Sequence, residues 1–163
     1  MVYGAWLLLI LLLTFLFSRW LDHQQNPNRY LKVESDIKGS VQLVLQRNRS
    51  GHYVAPGSIN NQPVIFLLDT GATHVALSQS LAERVGLKKG SSATSMTANG
   101  SVRSWLAIID QVRLGPITQF KVRASIMPAM SNDEVLLGMS FLKHLELIQK
   151  GDQLIIKAPD AAF

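Results

Sequence analysis

Val64-Ile65-Phe66-Leu67-Leu68-Asp69-Thr70-Gly71-Ala72-Thr73 is an apolar run that ends in a carboxylate and a small, flexible corner. Five consecutive apolar residues, with β-branched and aromatic members, bounded upstream by Asn60-Asn61 and Pro63, predict a buried strand. Asp69 then terminates a core element. Burying a carboxylate is costly unless hydrogen bonds or a partner group compensate, so its presence there asks for a functional reason. Gly71, two residues on, lets the backbone turn sharply and come close to another group, which would hold the Asp69 side chain at a fixed point on a loop. Taken alone, Asp-Thr-Gly is equally the end of a strand closed by a hydrogen-bonded turn. The flanking sequence decides between the two.

After the glycine, Val75-Ala76-Leu77-Ser78 predicts a second apolar strand, then a helical segment opened by Ser80-Leu81-Ala82-Glu83 as a capping box and closed at Gly86. Far downstream, Val135 to Met139 reads as another apolar strand containing Gly138, with a short helix over Phe141 to Leu145. This series resembles the retropepsin-like aspartic proteases. More narrowly it is similar to their membrane-anchored bacterial (clan AA) relatives, whose pattern includes Thr97-Ala98-Asn99-Gly100 and Leu136-Leu137-Gly138-Met139-Ser140-Phe141-Leu142. The resemblance covers about Gly51 to Lys157. It implies an all-β fold, a closed barrel or sandwich of β-hairpins with one or two short helices, and an aspartic endopeptidase acting on peptide or protein substrates.

The chain has 163 residues, enough for one domain with a sizeable core plus a short extra segment, and no internal repeat is visible. With no cysteine, disulfides, thiolate catalysis and cysteine-ligated zinc are excluded. His23, His52, His74 and His144 are scattered without ligand spacing, so no metal and no cofactor is expected. His74, five residues past Asp69, reads either as lining a substrate subsite or as lying on the outer face of the following strand. No phosphate-cradling glycine loop and no nucleophile elbow appears. The net charge of +5 is dispersed and lacks interleaved aromatics, which argues for solvated faces and against a nucleic-acid partner.

Met1 to Ser18 carries no charged side chain, and Leu7 to Phe17 is almost wholly apolar between Tyr3, Trp6 and Trp20. A helix from Tyr3 to Trp20 would run about 26 Å, just short of a hydrocarbon core of about 30 Å and within reach if aromatics anchor both ends. A basic n-region and a small-residue cleavage site are both missing, so residues 1–20 are expected to form an uncleaved transmembrane anchor rather than a signal peptide. Arg19, Arg29, Lys32 and Lys38 follow this segment, which alone would leave the domain cytoplasmic. The family resemblance implies the opposite, a single-pass protein of the bacterial inner membrane with a periplasmic protease domain, and that is the expectation adopted. Residues 21–40, polar and with Pro27 and Gly39, read as a tether; residues 41–158 as the protease domain; residues 159–163 as a tail.

Within the domain, Val41 to Leu45 and Tyr53 to Ala55 predict an opening β-hairpin around Ser50-Gly51. Lys88 to Thr94 reads as loop, and Asn99-Gly100 is a strong hairpin-tip signal within Met96 to Val102. The resemblance makes Thr97, Ala98, Asn99 and Gly100 the flap that closes over bound peptide. Arg103 to Leu114 and Ile117 to Met127 predict a long hairpin around Gly115-Pro116, with Phe120, Val122, Ala124 and Ile126 inward. Leu147 to Lys150 and Gln153 to Lys157 pair around Gly151-Asp152. That closing hairpin is longer than in the viral enzymes, so their terminal-strand dimer contacts do not transfer directly.

Aspartic proteolysis needs two carboxyl groups sharing one proton, because like charges about 3 Å apart cannot both ionise. Asp22, Asp36, Asp110, Asp133, Asp152 and Asp160 lack a following Thr-Gly or Ser-Gly, leaving Asp69 as the one candidate per chain and implying a homodimer. By resemblance Thr70 supports the dyad across the dimer, Gly71 and Ala72 shape the loop, and Leu137 and Gly138 close its packing from a second strand. A retropepsin-fold dimer that binds extended peptides or partner proteins without cleaving them is the alternative.

Overall fold

The computed structural model describes residues 2–35, 41–97, 100–130 and 133–158. In chain order the elements are α1 (Val2–Gln25), β1 (Lys32–Ser35), β2 (Val41–Gln46), β3 (Val54–Ile59), β4 (Gln62–Leu68), β5 (Val75–Ser78), α2 (Gln79–Arg84), β6 (Ser92–Thr97), β7 (Gly100–Leu114), β8 (Ile117–Met127), β9 (Glu134–Leu137), α3 (Met139–Leu142), β10 (Glu146–Lys150) and β11 (Gln153–Lys157). Seven strands form one sheet in the order β3-β4-β9-β5-β8-β7-β6, and pairing of β3 with β7 through Ser58 with Arg113 and Ile59 with Val112 closes it into a barrel. The core fills that barrel with Ile59, Phe66, Leu77, Ile109, Ile126 and Leu137, all fully buried. A second sheet, β1-β2-β11-β10, is made of the segments flanking the barrel in sequence. The predicted closed β fold with short helices is therefore observed.

Several local expectations change. The opening hairpin does not run along the strands: β2 pairs with β1 and β11, β3 pairs with β4 and β7, and the two segments meet at the bridge between Arg47 and Tyr53, beside the bond from the Asn48 N–H to the His52 carbonyl. The helix after β5 is capped two residues earlier than predicted, by Ser78, whose Oγ accepts from the Leu81 N–H at 3.2 Å. It ends, as expected, at Gly86, where φ is +75° and the Leu87 N–H reaches back to the Ala82 carbonyl at 2.8 Å. Residues 88–94 are loop only as far as Ser91, and the downstream strand stops at Leu137 so that Met139 already opens α3.

The β7–β8 hairpin forms around Gly115-Pro116, but its buried face slips by one residue midway. Ala107 and Ile109 are buried on one half of β7 and Val112 and Leu114 on the other; Ile117 and then Val122, Ala124 and Ile126 match them on β8. The slip falls at Lys121, whose left-handed backbone (φ +55°) breaks the two-residue period. Phe120, expected inside, is consequently 69% exposed.

The predicted tether is largely part of the fold. α1 continues to Gln25, and Asn28 is buried between β2 and β3. Its Nδ2 donates to the Gln46 and Val54 carbonyls at 2.9 and 2.8 Å, and its Oδ1 accepts from the Gln46 N–H at 2.7 Å. One amide thus satisfies backbone groups of two diverging strands, and β1 then pairs with β2. The apolar side chains of α1 from Trp6 to Leu21 are uncovered by the domain. Among the described residues, no helix is long and apolar enough to cross a membrane.

Replacing Asn28 with alanine strands three backbone groups, of which the Val54 carbonyl is buried and the two of Gln46 are half-buried. The expected loss is about 2–4 kcal/mol of stability, read by chemical denaturation of the full chain in detergent micelles. An unchanged midpoint would contradict the bridging role of Asn28.

Candidate active site

β4 and β5 follow one another in sequence but are not neighbours in the sheet. β9 lies between them, parallel to β4 with Leu68 opposite Leu137, and antiparallel to β5 with Ala76 opposite Leu136. The connecting loop, residues 69–74, must therefore pass over the C-terminal end of β9, where the chain reads Leu137-Gly138-Met139-Ser140. At Gly138 there is no room for a side chain, since a Cβ would stand 2.3 Å from the His74 carbonyl oxygen and 2.6 Å from that of Ala72. Glycine is required here by close approach of backbone to backbone.

The first N–H groups of α3, which have no partner inside the helix, are used to hold that loop. Met139 N–H donates to the Ala72 carbonyl at 2.7 Å and Ser140 N–H to the Thr73 carbonyl at 2.9 Å. The Ser140 hydroxyl bridges further, accepting from Val75 N–H at 3.0 Å and donating to the Arg123 carbonyl of β8 at 2.7 Å. Asp69 itself extends β4 by one bond, its N–H donating to the Leu137 carbonyl at 3.2 Å. Its Oδ1 accepts from Gly71 N–H at 2.8 Å, and Ala72 N–H returns to the Asp69 carbonyl at 3.3 Å. Both ends of the loop are thus fixed, and the carboxylate is aimed by a backbone donor two residues away.

Two expectations are corrected by this geometry. Asp69 is half-buried in the single chain, not buried, and β4 is not a fully buried strand: Ile65 is exposed and Leu67 and Leu68 are half-buried, because the outer face of β4 is not covered by a second layer. Thr70 and Gly71 are exposed beside the carboxylate. Asp69, Thr70, Gly71, Ala72, Leu137 and Gly138 are brought together as a unit. His74 is half-buried, with Nδ1 at 3.3 Å from the buried Ser125 hydroxyl of β8. Thr97 pairs with Gly100 at the end of the β6–β7 hairpin; the tip residues Ala98 and Asn99 lie outside the described residues. Among the described residues, no group of three His, Cys, Asp or Glu side chains is arranged to hold a metal.

Clefts of about 510 Å³, between residues 86–91 and the outer face of β7, and of about 370 Å³, beside Gln25, Asn26 and Arg29, are lined by no residue of the Asp69 loop. The bridging role of Ser140 was not read from the sequence. Its one signal is position, a hydroxyl two residues after a glycine at a strand-to-helix junction.

Residues 55–144 match the family model described as gag-polyprotein putative aspartyl protease. The chain belongs to this family of aspartyl proteases. It is also similar to an uncharacterized Sinorhizobium sp. protein encoded in the 5′ region of cobV, 30% identical over 94% of this chain and 71% of that protein. An uncharacterized protein of Rickettsia prowazekii (strain Madrid E) is 30% identical over 71% of this chain, which spans half of that protein's length. Among solved structures, a retropepsin-like aspartic protease from Rickettsia conorii superposes over 78% of this chain and 95% of its own, with a TM-score of 0.62 and 27% identity. The aspartyl-protease family assignment and the retropepsin-like fold agree with the arrangement of β4, β5, β9 and the loop between them.

Replacing Gly138 with alanine is expected to drive the Asp69 loop off α3 and remove about 3 kcal/mol or more of stability, whereas Ser140→Ala should lose about 1–3 kcal/mol through its two backbone bonds. Denaturation curves of the two variants check the order; a Gly138→Ala chain as stable as the parent would contradict the packing described.

Proposed function

We propose that this chain is an aspartic endopeptidase active as a homodimer, with Asp69 of each subunit meeting on a two-fold axis. The observation that carries the reading is the Asp69-Thr70-Gly71 loop: rigidly supported from below by Gly138 and α3, yet half-exposed above, in a chain of the aspartyl protease family. Such a loop is a prepared carboxylate without a second one, since no other aspartate of the chain is followed by Thr-Gly or Ser-Gly. An isologous pairing supplies the missing group from an identical loop.

In the dimer the two carboxyl groups share one proton. The ionised one takes a proton from a bound water as that water attacks the scissile carbonyl; the protonated one donates a hydrogen bond to the carbonyl oxygen. Proton donation to the leaving amine completes hydrolysis without a covalent intermediate. Thr70 bonds across the dimer to steady the dyad, and Gly71 and Ala72 shape the adjoining subsites. The Thr97–Gly100 hairpin closes over the substrate and limits water access.

The N-terminal helix attaches the domain to a lipid bilayer. Support comes from the uncharged stretch through Ser18 and from the row of exposed apolar side chains, Leu8 at 70% and Phe17 at 58% among them, flanked by Trp6 and Trp20. Following the family resemblance, the membrane is the bacterial inner membrane and the domain faces the periplasm. Confinement to one bilayer also raises the effective concentration of the two subunits.

Incubated with a diverse peptide mixture between mildly acidic and neutral pH, the full chain in detergent is expected to give cuts, mapped by mass spectrometry, that vanish in the Asp69→Asn chain. Identical products from both chains, or none from a folded dimer, would favour the non-cleaving peptide binder. For attachment, the chain should stay with membranes through alkaline carbonate washing and be released by detergent; release by carbonate alone would contradict it. A C-terminal alkaline phosphatase fusion should be active, and an inactive fusion would place the domain on the cytoplasmic side.

A further inference from the structure

The barrel sheet has an outer face, and Asp69 belongs to it. Along β4, Val64 and Phe66 are buried in the barrel, so Ile65, Leu67 and, by the same two-residue alternation, Asp69 lie on the other side. Strand register carries that side across the sheet. Leu67 stands opposite Leu136 of β9, Leu136 opposite Ala76 of β5, Ala76 opposite Ser125 of β8, and Ser125 opposite Leu106 of β7. Residues paired in register share a face, so these five side chains form one row beside Asp69. The row is apolar but for Ser125, and small in its middle.

Two residues further along each strand runs a second row, that of Asp69 itself. Past the crossing at Gly138 it holds His74, Arg123 and Ile108, with Arg123 opposite Ile108 in register. The Ser140 hydroxyl, which joins the Val75 N–H to the Arg123 carbonyl, fixes the backbone on both sides of this row. His74 Nδ1 is engaged with the Ser125 hydroxyl at 3.3 Å, which leaves Nε2 as the ring nitrogen for an incoming group. Arg123 is exposed, and among the described residues no carboxylate pairs with it. Asp110, the acid two residues beyond Ile108 on β7, is held by Lys121 at 2.5 Å. The guanidinium is therefore an uncompensated cation on the face that carries the proposed catalytic carboxylate.

Neighbouring strands lie about 4.8 Å apart, which sets His74 about 10 Å and Arg123 about 14 Å across the sheet from Asp69. That is the length of about three to four residues of extended chain. We propose that His74 and Arg123 form a subsite that selects substrates with an acidic side chain three or four residues from the bond cut. This selectivity rests on the endopeptidase reading above and names its substrate class; in a two-fold dimer it applies on both sides of the bond. The guanidinium fork takes a carboxylate through two parallel N–H bonds, and the imidazole offers a third contact.

Three end-blocked octapeptides serve as probes: Glu-Glu-Ala-Leu-Phe-Ala-Glu-Glu, and its counterparts with glutamine or lysine in place of the four glutamates. The central Leu-Phe pair suits the apolar row at Leu67 and Leu136. Cleavage by the full chain in detergent and binding to its Asp69→Asn form are measured for each peptide, with Arg123 intact and as Arg123→Glu, a change that keeps the carbonyl bond to Ser140. The glutamate peptide is expected to be cut and bound about fivefold better than the glutamine peptide, with the advantage shrinking at molar salt. Arg123→Glu should turn the order in favour of lysine. Equal handling of the glutamate and glutamine peptides by the parent chain would overturn the subsite and leave the endopeptidase standing. Tighter binding of the glutamate peptide with no cleavage of any would support the subsite and overturn the endopeptidase. A glutamate preference that survives in Arg123→Glu would overturn the assignment to Arg123, and no binding or cleavage of any peptide would overturn both readings.

Discussion

Backbone contact at Gly138 is the constraint from which the rest of the site follows. Because β9 is inserted between two strands that are consecutive in sequence, the loop joining them has to cross the chain, and the crossing brings the Ala72 and His74 carbonyls to where any Cβ on residue 138 would stand. The close approach is then put to use. The opening N–H groups of α3 bind the loop carbonyls they meet, Ser140 ties the loop onward to β5 and β8, and Asp69 extends β4 before its carboxylate turns to meet the Gly71 N–H. The side chain that would do the chemistry is held by backbone on rigid elements, which keeps it within the narrow geometric tolerance that acid–base catalysis demands.

The loop is well supported from the barrel side and open on the other, with Thr70 and Gly71 exposed and Asp69 half-exposed. Solvent access of this kind is of little use to a lone carboxylate, but it is what a self-complementary pairing of two loops needs. The flanking segments are already occupied: β1, β2, β10 and β11 pair with one another inside the chain. The inner strands β2 and β11 therefore have no free edges for a partner strand.

The centre of this architecture was legible in the sequence and its periphery was not, for physical reasons. Asp69-Thr70-Gly71 and Gly138 announce themselves because short loops and close backbone approaches depend on residue type at single positions. The hairpins around Gly115-Pro116 and Gly151-Asp152 were likewise readable from turn chemistry. Sheet membership was not: β2 and β3 look like a hairpin in the sequence, but their partners lie far along the chain, and local pattern carries no information about which edge a strand will meet. Phe120 faces outward because one left-handed residue, Lys121, resets the alternation, and lysine gives no warning of that conformation. Asn28 sits in a stretch whose polarity reads as linker, and its burial becomes intelligible only when two diverging strands leave three backbone groups for one amide to satisfy. Nor did composition reveal that Asp69 would be half-exposed: five apolar residues in a row predict burial on both faces, and the barrel covers only one.

Subunit mixing tests most directly whether one active site is shared by two chains. Equal amounts of the parent chain and the Asp69→Asn chain, co-reconstituted and allowed to exchange, would be assayed for peptide cleavage against the same total amount of parent alone. If each site needs Asp69 from both subunits, mixed dimers are silent and the activity falls to about one quarter. A fall to only about one half, as for chains that act independently, would contradict a site shared by two subunits.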